Sequence, residues 1–110
     1  MKKKYKTITL CGSTRFKKEF EKINRKLTLE GNVVLSVGLF SHAEENSEEW
    51  VNDGTKEMLD DIHKQKIDMS DEVFIIDVDG YIGSSTASEI KYAESKGIPI
   101  KYYSNLTNYK

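Results

Sequence analysis

The sequence predicts an α/β domain, a short doubly wound (flavodoxin/Rossmann-like) three-layer sandwich with a parallel sheet of about four strands in the order 2-1-3-4. Three observations predict it. Strand-like apolar runs alternate with helix-patterned segments, which is how a parallel sheet with helical crossovers is encoded. The run Glu72-Val73-Phe74-Ile75-Ile76-Asp77-Val78 has a continuous apolar centre, as a strand buried on both faces requires. Turn residues stand at the seams between segments, and no repeat, linker or low-complexity stretch divides residues 1–110 into more than one domain.

Each element follows in order. Residues 6 to 11, Lys-Thr-Ile-Thr-Leu-Cys, form a β-rich run closed by Gly12. Phe16, Phe20, Ile23 and Leu27 then recur at helical spacing as one apolar stripe, and Gly31 supplies a left-handed cap at the end of that helix. Val33 to Val37 is the second strand, and residues 38 to 46 are loop. Ser47 with Glu48 and Glu49 suits a helix start, because acidic groups favour the positive end of the macrodipole. Trp50, Met58, Leu59, Ile62 and Met69 are expected on its buried face, and Gly54 marks a kink or a break into two helices. The central strand Glu72 to Val78 comes next. A turn-rich stretch from Asp79 to Ser85 leads into a helix from about Thr86 to Lys96, stopped by Gly97 and Pro99, and the last strand runs from Ile98 to Tyr103.

Composition narrows the function classes. Lysine plus arginine (17) nearly balances aspartate plus glutamate (18), so no single-sign field gathers a nucleic acid polymer. The Lys2-Lys3-Lys4 run is expected to be a solvated terminus. Cys11 is the sole cysteine, which excludes an internal disulfide, and no apolar run approaches the ~20 residues that span a bilayer. The expected address is the cytoplasm, with no membrane partner. A domain of this length hides roughly two thirds of its unfolded surface. A homo-oligomer, a homodimer or larger, is therefore expected.

In a doubly wound sheet a ligand binds where the strand order reverses, at the carboxyl ends of strands one and three. That selects the Gly12-Ser13-Thr14-Arg15 loop and the Asp79 to Ser85 loop. The first offers a glycine for close backbone approach, two hydroxyls, helix-terminal amides and a bidentate cation, which together suit a phosphate. The same residues also read as a plain turn and helix cap. They match neither the P-loop nor the full dinucleotide glycine fingerprint. Thr86-x-x-Glu89 has the spacing of a capping box, so Glu89 is either a cap partner or a carboxylate facing the crevice. Ser84 and Ser85 are turn residues or phosphate donors. Tyr81 either stacks on a base or packs its loop down. Counting back from Met69 along the helix places Asp60, Asp61 and His63 near the rim of the sheet, as site-lining groups or a solvated face. His42, His63 and Cys11 show no metal-ligand spacing, so neither a metal nor a cofactor is expected.

Taken together, CGSTR after the first strand, Ser70-Asp71 before the central strand, and GSSTASEIKYAESKGIPI after it resemble the nucleoside 2-deoxyribosyltransferase family and its relatives that hydrolyse nucleotide N-glycosidic bonds. The resemblance extends from about Thr7 to Tyr103. It implies a transferase or hydrolase acting on a small-molecule nucleoside or nucleoside monophosphate, with Glu89 as the nucleophile at the anomeric carbon. By the same resemblance Gly12, Ser13, Arg15 and Ser85 would hold phosphate or sugar. The family carries an aspartate that recognises the sugar at the position where this chain has His63; Asp60 or Asp61 is the nearest substitute. The acid that protonates the departing base is open among Asp77, Asp79 and His63. The alternative is a non-catalytic nucleotide-binding or sensor module of the same fold.

Overall fold

The computed structural model describes residues 4–38 and 54–106. Four parallel strands, β1 (Thr7–Gly12), β2 (Val33–Leu35), β3 (Glu72–Ile76) and β4 (Ile100–Tyr102), pair in the order β2-β1-β3-β4, the order expected from the sequence. Among the described residues, three α-helices accompany them: α1 (Lys17–Leu29), α2 (Thr55–Asp68) and α3 (Ser84–Ser95).

Side-chain alternation along the two inner strands divides the core into two layers. Ile8 and Leu10 of β1 and Phe74 and Ile76 of β3 face one side, where Phe20, Ile23 and Leu27 of α1 cover them. Cys11 of β1 and Val73 and Ile75 of β3 face the other, against Ile67 of α2 and Ala93 of α3. Every residue of β3 is buried, as its apolar run predicts for a central strand. Glu72, at its start, is flanked by Lys6 and Lys101, each 3.4 Å from the same carboxylate oxygen.

Helix ends follow the local sequence. After α1 the Gly31 N–H donates to the Thr28 carbonyl and the Asn32 N–H to the Leu27 carbonyl; after α3 Gly97 and Ile98 make the same pair of bonds to Glu94 and Ala93. Both are Schellman endings, and both need a left-handed residue, which Gly31 (φ 95°) and Gly97 (φ 70°) provide.

Several boundaries differ from expectation. The second strand stops at Leu35, and the central strand stops at Ile76. There the Asp77 carboxylate accepts from the Ser104 N–H at 2.8 Å and the Ser104 hydroxyl at 2.7 Å, turning the chain out of the sheet into a short 3-10 turn at Val78–Gly80. The last strand shortens to Ile100–Tyr102. Gly54 is the N-cap of α2 in a left-handed conformation, and the expected kink or break there also involves residues before it, which lie outside the described residues. Expectations for residues 39–46, Ser47 and Trp50 lie outside the described residues. The buried face of α2 also differs: Met58, Ile62 and Met69 are 52%, 44% and 56% exposed, whereas His63 and Ile67 face the sheet. The helix turns a histidine inward because His63 shares a face with Ile67 one turn later, and Ile67 is the residue that meets Val73 and Ile75.

Candidate functional site

β1 and β3 end level, with Gly12 paired to Ile76, so the two loops selected from the sequence leave the sheet side by side. Gly12 is required there by packing. A Cβ at this position would lie 2.8 Å from the Ile76 carbonyl oxygen and 3.0 Å from the Ile76 Cβ, neither of which can yield without moving β3.

The loop that follows is neither a simple cap nor a flat turn. Helix α1 begins only at Lys17, with Phe16 before it and no side-chain cap, so Ser13 and Thr14 stand outside the helix. The Ser13 carbonyl accepts from the Phe16 N–H at 3.0 Å, closing the turn. The Ser13 hydroxyl accepts from the Arg15 N–H at 3.3 Å and from Arg15 Nε at 3.0 Å, which fixes the near edge of the guanidinium. The Arg15 guanidinium lies over the Tyr81 ring, 4.6 Å from its centroid, and Phe16 meets the same ring edge-on at 5.9 Å and 81°. Tyr81 therefore braces the first loop against the second. Among the described residues no carboxylate pairs with Arg15, which leaves the rest of its fork directed at solvent.

Glu89 has a different setting from the one its capping-box spacing suggests. Helix α3 starts at Ser84, two residues earlier than expected, so Thr86 is a buried helical residue and makes no cap bond. Glu89 then lies one turn after Thr86 and one turn before the buried Ala93, on the stripe that faces the sheet. Its carboxylate oxygen comes 3.9 Å from His63 Nε2, and its side chain is 13% exposed. His63 Nε2 is 3.3 Å from Cys11 Sγ, and Cys11 points up from the last turn of β1 toward both helices. Ligating atoms of Cys11, His63 and Glu89 all lie within 4.8 Å of one another. The cluster is thus built from one inward position on each of β1, α2 and α3, directly before Gly12.

Burial sets the charge state of the cluster. It pushes the Glu89 carboxyl up to about 7, helped by the negative charge of Asp60 and opposed by a hydrogen bond from Cys11. It pushes His63 down to about 4, with Lys66 adding to the effect and a backbone hydrogen bond with Leu10 opposing it. The Cys11 thiol is raised well above its ordinary value by burial and then by Glu89. At neutral pH the thiol is protonated, the imidazole is neutral and the carboxyl is shared between both forms, so the 3.9 Å contact between His63 and Glu89 is not an ion pair.

Glu89 opens on a cavity of about 30 Å³ lined by Asp60, Lys64, Ser85 and Ser88, large enough to hold a water molecule. Asp60 reaches it while paired with Lys56 at 3.0 Å; Asp61 is exposed and does not. Of the acids open as proton donors, buried Asp77 is committed to Ser104, while Asp79 is exposed on the turn with φ 54°. A broader concavity of about 390 Å³, lined by Glu21, Asn24, Arg25, Thr28 and Leu29, is on α1. Cys11, Lys64 and Ser88 were missed from the sequence. Cys11 adjoins the selected loop, and its alternation with Leu10 already placed it on the opposite face of the sheet. Comparison with models of known protein families gives no match for this chain, and no curated protein and no solved structure matches it either.

Proposed function

We propose that this chain cleaves or transfers at the N-glycosidic bond of a nucleoside or nucleoside monophosphate, with Glu89 as the nucleophile. The observation that carries the reading is the position of Glu89. It is not a helix cap but a sheet-facing carboxylate clustered with Cys11, the residue before the Gly12 to Arg15 loop. In this reading Arg15, oriented by Ser13 and Tyr81, takes the 5′-phosphate through charge-assisted hydrogen bonds. Ionised Glu89 bonds to the anomeric carbon as the bond to the base breaks through an oxocarbenium-like state. The base leaves with a proton supplied by solvent water. Water, or a second base in transfer, then attacks the same carbon, gives up its proton and releases the carboxylate. The cavity beside Glu89 has room for that water.

The experiment is incubation with a panel of nucleosides and monophosphates, followed by chromatography for free base. Release by the native chain that Glu89→Gln abolishes supports the reading; release that survives this substitution, or no release at all, sinks it. A second reading, a nucleotide-binding module without turnover, is favoured by the shared protonation of Glu89 at neutral pH, which weakens it as a nucleophile. A nucleotide that raises the melting temperature and is recovered intact selects this alternative.

A small-molecule partner rather than a nucleic acid polymer suits the near-cancelling charge. No helix among the described residues is long and apolar enough to cross a membrane. We further infer a cytoplasmic homo-oligomer. The lone Cys11 supports the address, and Met58, Ile62 and Met69, exposed on or beside α2, support a second copy as the covering partner.

A further inference from the structure

We propose that Cys11, His63 and Glu89 form a binding site for a borderline-soft divalent cation, zinc above all, with a fourth coordination position left to an external ligand. The geometry carries it. The thiol sulfur and the carboxylate oxygen approach the same imidazole nitrogen, Nε2, at 3.3 Å and 3.9 Å, and the three ligating atoms all lie within 4.8 Å of one another. A nucleophilic relay needs the opposite arrangement, with the acid on the far ring nitrogen from the thiol. Convergence on one point is what a cation requires. Tetrahedral zinc, with bonds of about 2.0 to 2.3 Å, sets its ligands roughly 3.3 to 3.6 Å apart. The sulfur and nitrogen already stand near that spacing, and Glu89 closes the remainder by rotating its side chain.

The donor set selects the metal class. A thiolate and an imidazole suit zinc and exclude magnesium and calcium, which take oxygen ligands. Cys11 is fully buried, and so has no access for an alkylating or thiol-exchanging partner that would make it a surface nucleophile. Glu89, the most exposed of the three, faces the cavity formed with Asp60, Lys64, Ser85 and Ser88, which has room for one water as the fourth ligand. Binding replaces water on the aquo ion by sulfur, nitrogen and oxygen. The Cys11 thiol releases its proton to solvent, as does the Glu89 carboxyl where it carries one, and nothing is oxidised or reduced. The thiolate and the carboxylate then offset both charges of the cation. A bound cation also withdraws Glu89 from a sugar, so metal loading would suppress base release.

The site does not depend on the glycosidic reading, and its test contains no nucleotide. The chelator-stripped full chain is titrated with Co²⁺ and then with Zn²⁺. The expected result is saturation at one cobalt per chain, with thiolate-to-cobalt charge-transfer absorption and the intense d–d bands of tetrahedral cobalt, both removed by zinc. Cys11→Ser should lose the charge-transfer band, and His63→Ala should weaken zinc binding at least about tenfold. Absence of a thiolate band in the native chain overturns the proposal without recourse to any variant, and so does zinc affinity unchanged in both folded variants. Base release is assayed separately with chelator present. Its failure there counts against Glu89 as a nucleophile and leaves the cobalt spectrum unaffected.

Discussion

Replacing Glu89 with glutamine should change the slope of stability against pH, because two opposed titrations meet in this cluster. In the folded chain Glu89 ionises at about 7 instead of 4.5. Below 4.5 it is protonated in both states and costs nothing; as pH rises toward 7 the unfolded chain ionises first, and stability falls. His63 works the other way, ionising at about 4 in the folded chain instead of 6.5. Above 6.5 it is neutral in both states; as pH falls the unfolded chain takes up the proton first, and stability is lost. Each tenfold change in proton affinity is worth about 1.4 kcal/mol, so each group supplies on the order of 3 kcal/mol across its own window. Between pH 4.5 and 6.5 the two contributions run against each other and largely cancel. Glu89→Gln removes one of them, so stability relative to the native chain should climb by about 3 kcal/mol as pH rises from 4.5 through 7. Urea unfolding of chelator-treated protein at stepped pH reads this as a midpoint difference of about 1 to 3 M that grows with pH at constant m. The background of other carboxylates drops out of the difference between the two proteins. Parallel curves for the native chain and the variant over pH 5 to 7.5 would refute the claim that burial holds Glu89 near neutrality.

Other outcomes follow from particular contacts. Gly12→Ala drives a methyl against the Ile76 carbonyl and should cost about 1 to 3 kcal/mol, read as a lower thermal midpoint; an unchanged midpoint means the two strands are less tightly apposed. Arg15→Ala should weaken binding of a nucleoside monophosphate about tenfold or more and leave the matching nucleoside nearly unaffected, since a charge-assisted hydrogen bond is worth about 1.5 to 3 kcal/mol. Equal loss for both ligands in calorimetry would place the phosphate elsewhere. Ile62→Lys puts a charge on the exposed stripe of α2 and should convert an oligomer to monomer in light scattering. A native chain that is already monomeric at high concentration ends that inference.

The fold was legible because its signals are local and redundant. The apolar centre of β3, the stripe Phe20, Ile23 and Leu27, and the glycines at 31 and 97 each follow from a period or a backbone requirement that neighbouring residues do not alter. The buried face of α2 was not legible. Its stronger apolar stripe, Met58, Ile62 and Met69, turns outward, and tertiary packing chose the stripe with Ile67 and carried His63 in with it. The site divides in the same way. The two loops were found from topology, but the register of α3 decided what Glu89 is. A start at Ser84 rather than Thr86 turns a capping spacing into a sheet-facing position, and a spacing rule cannot see that difference. Cys11, His63 and Glu89 come from three elements far apart in the chain, so no linear pattern joins them.

Cys11 has one consequence for how the molecule opens. As the sole thiol of the chain, fully buried between β1 and the helices above it, it reacts with an alkylating reagent only while that layer is apart. Its labelling rate is therefore a built-in clock for separation of α2 and α3 from the sheet. When reclosing outruns modification, the slowing relative to a free thiol measures the free energy of that opening, with no probe added to the protein.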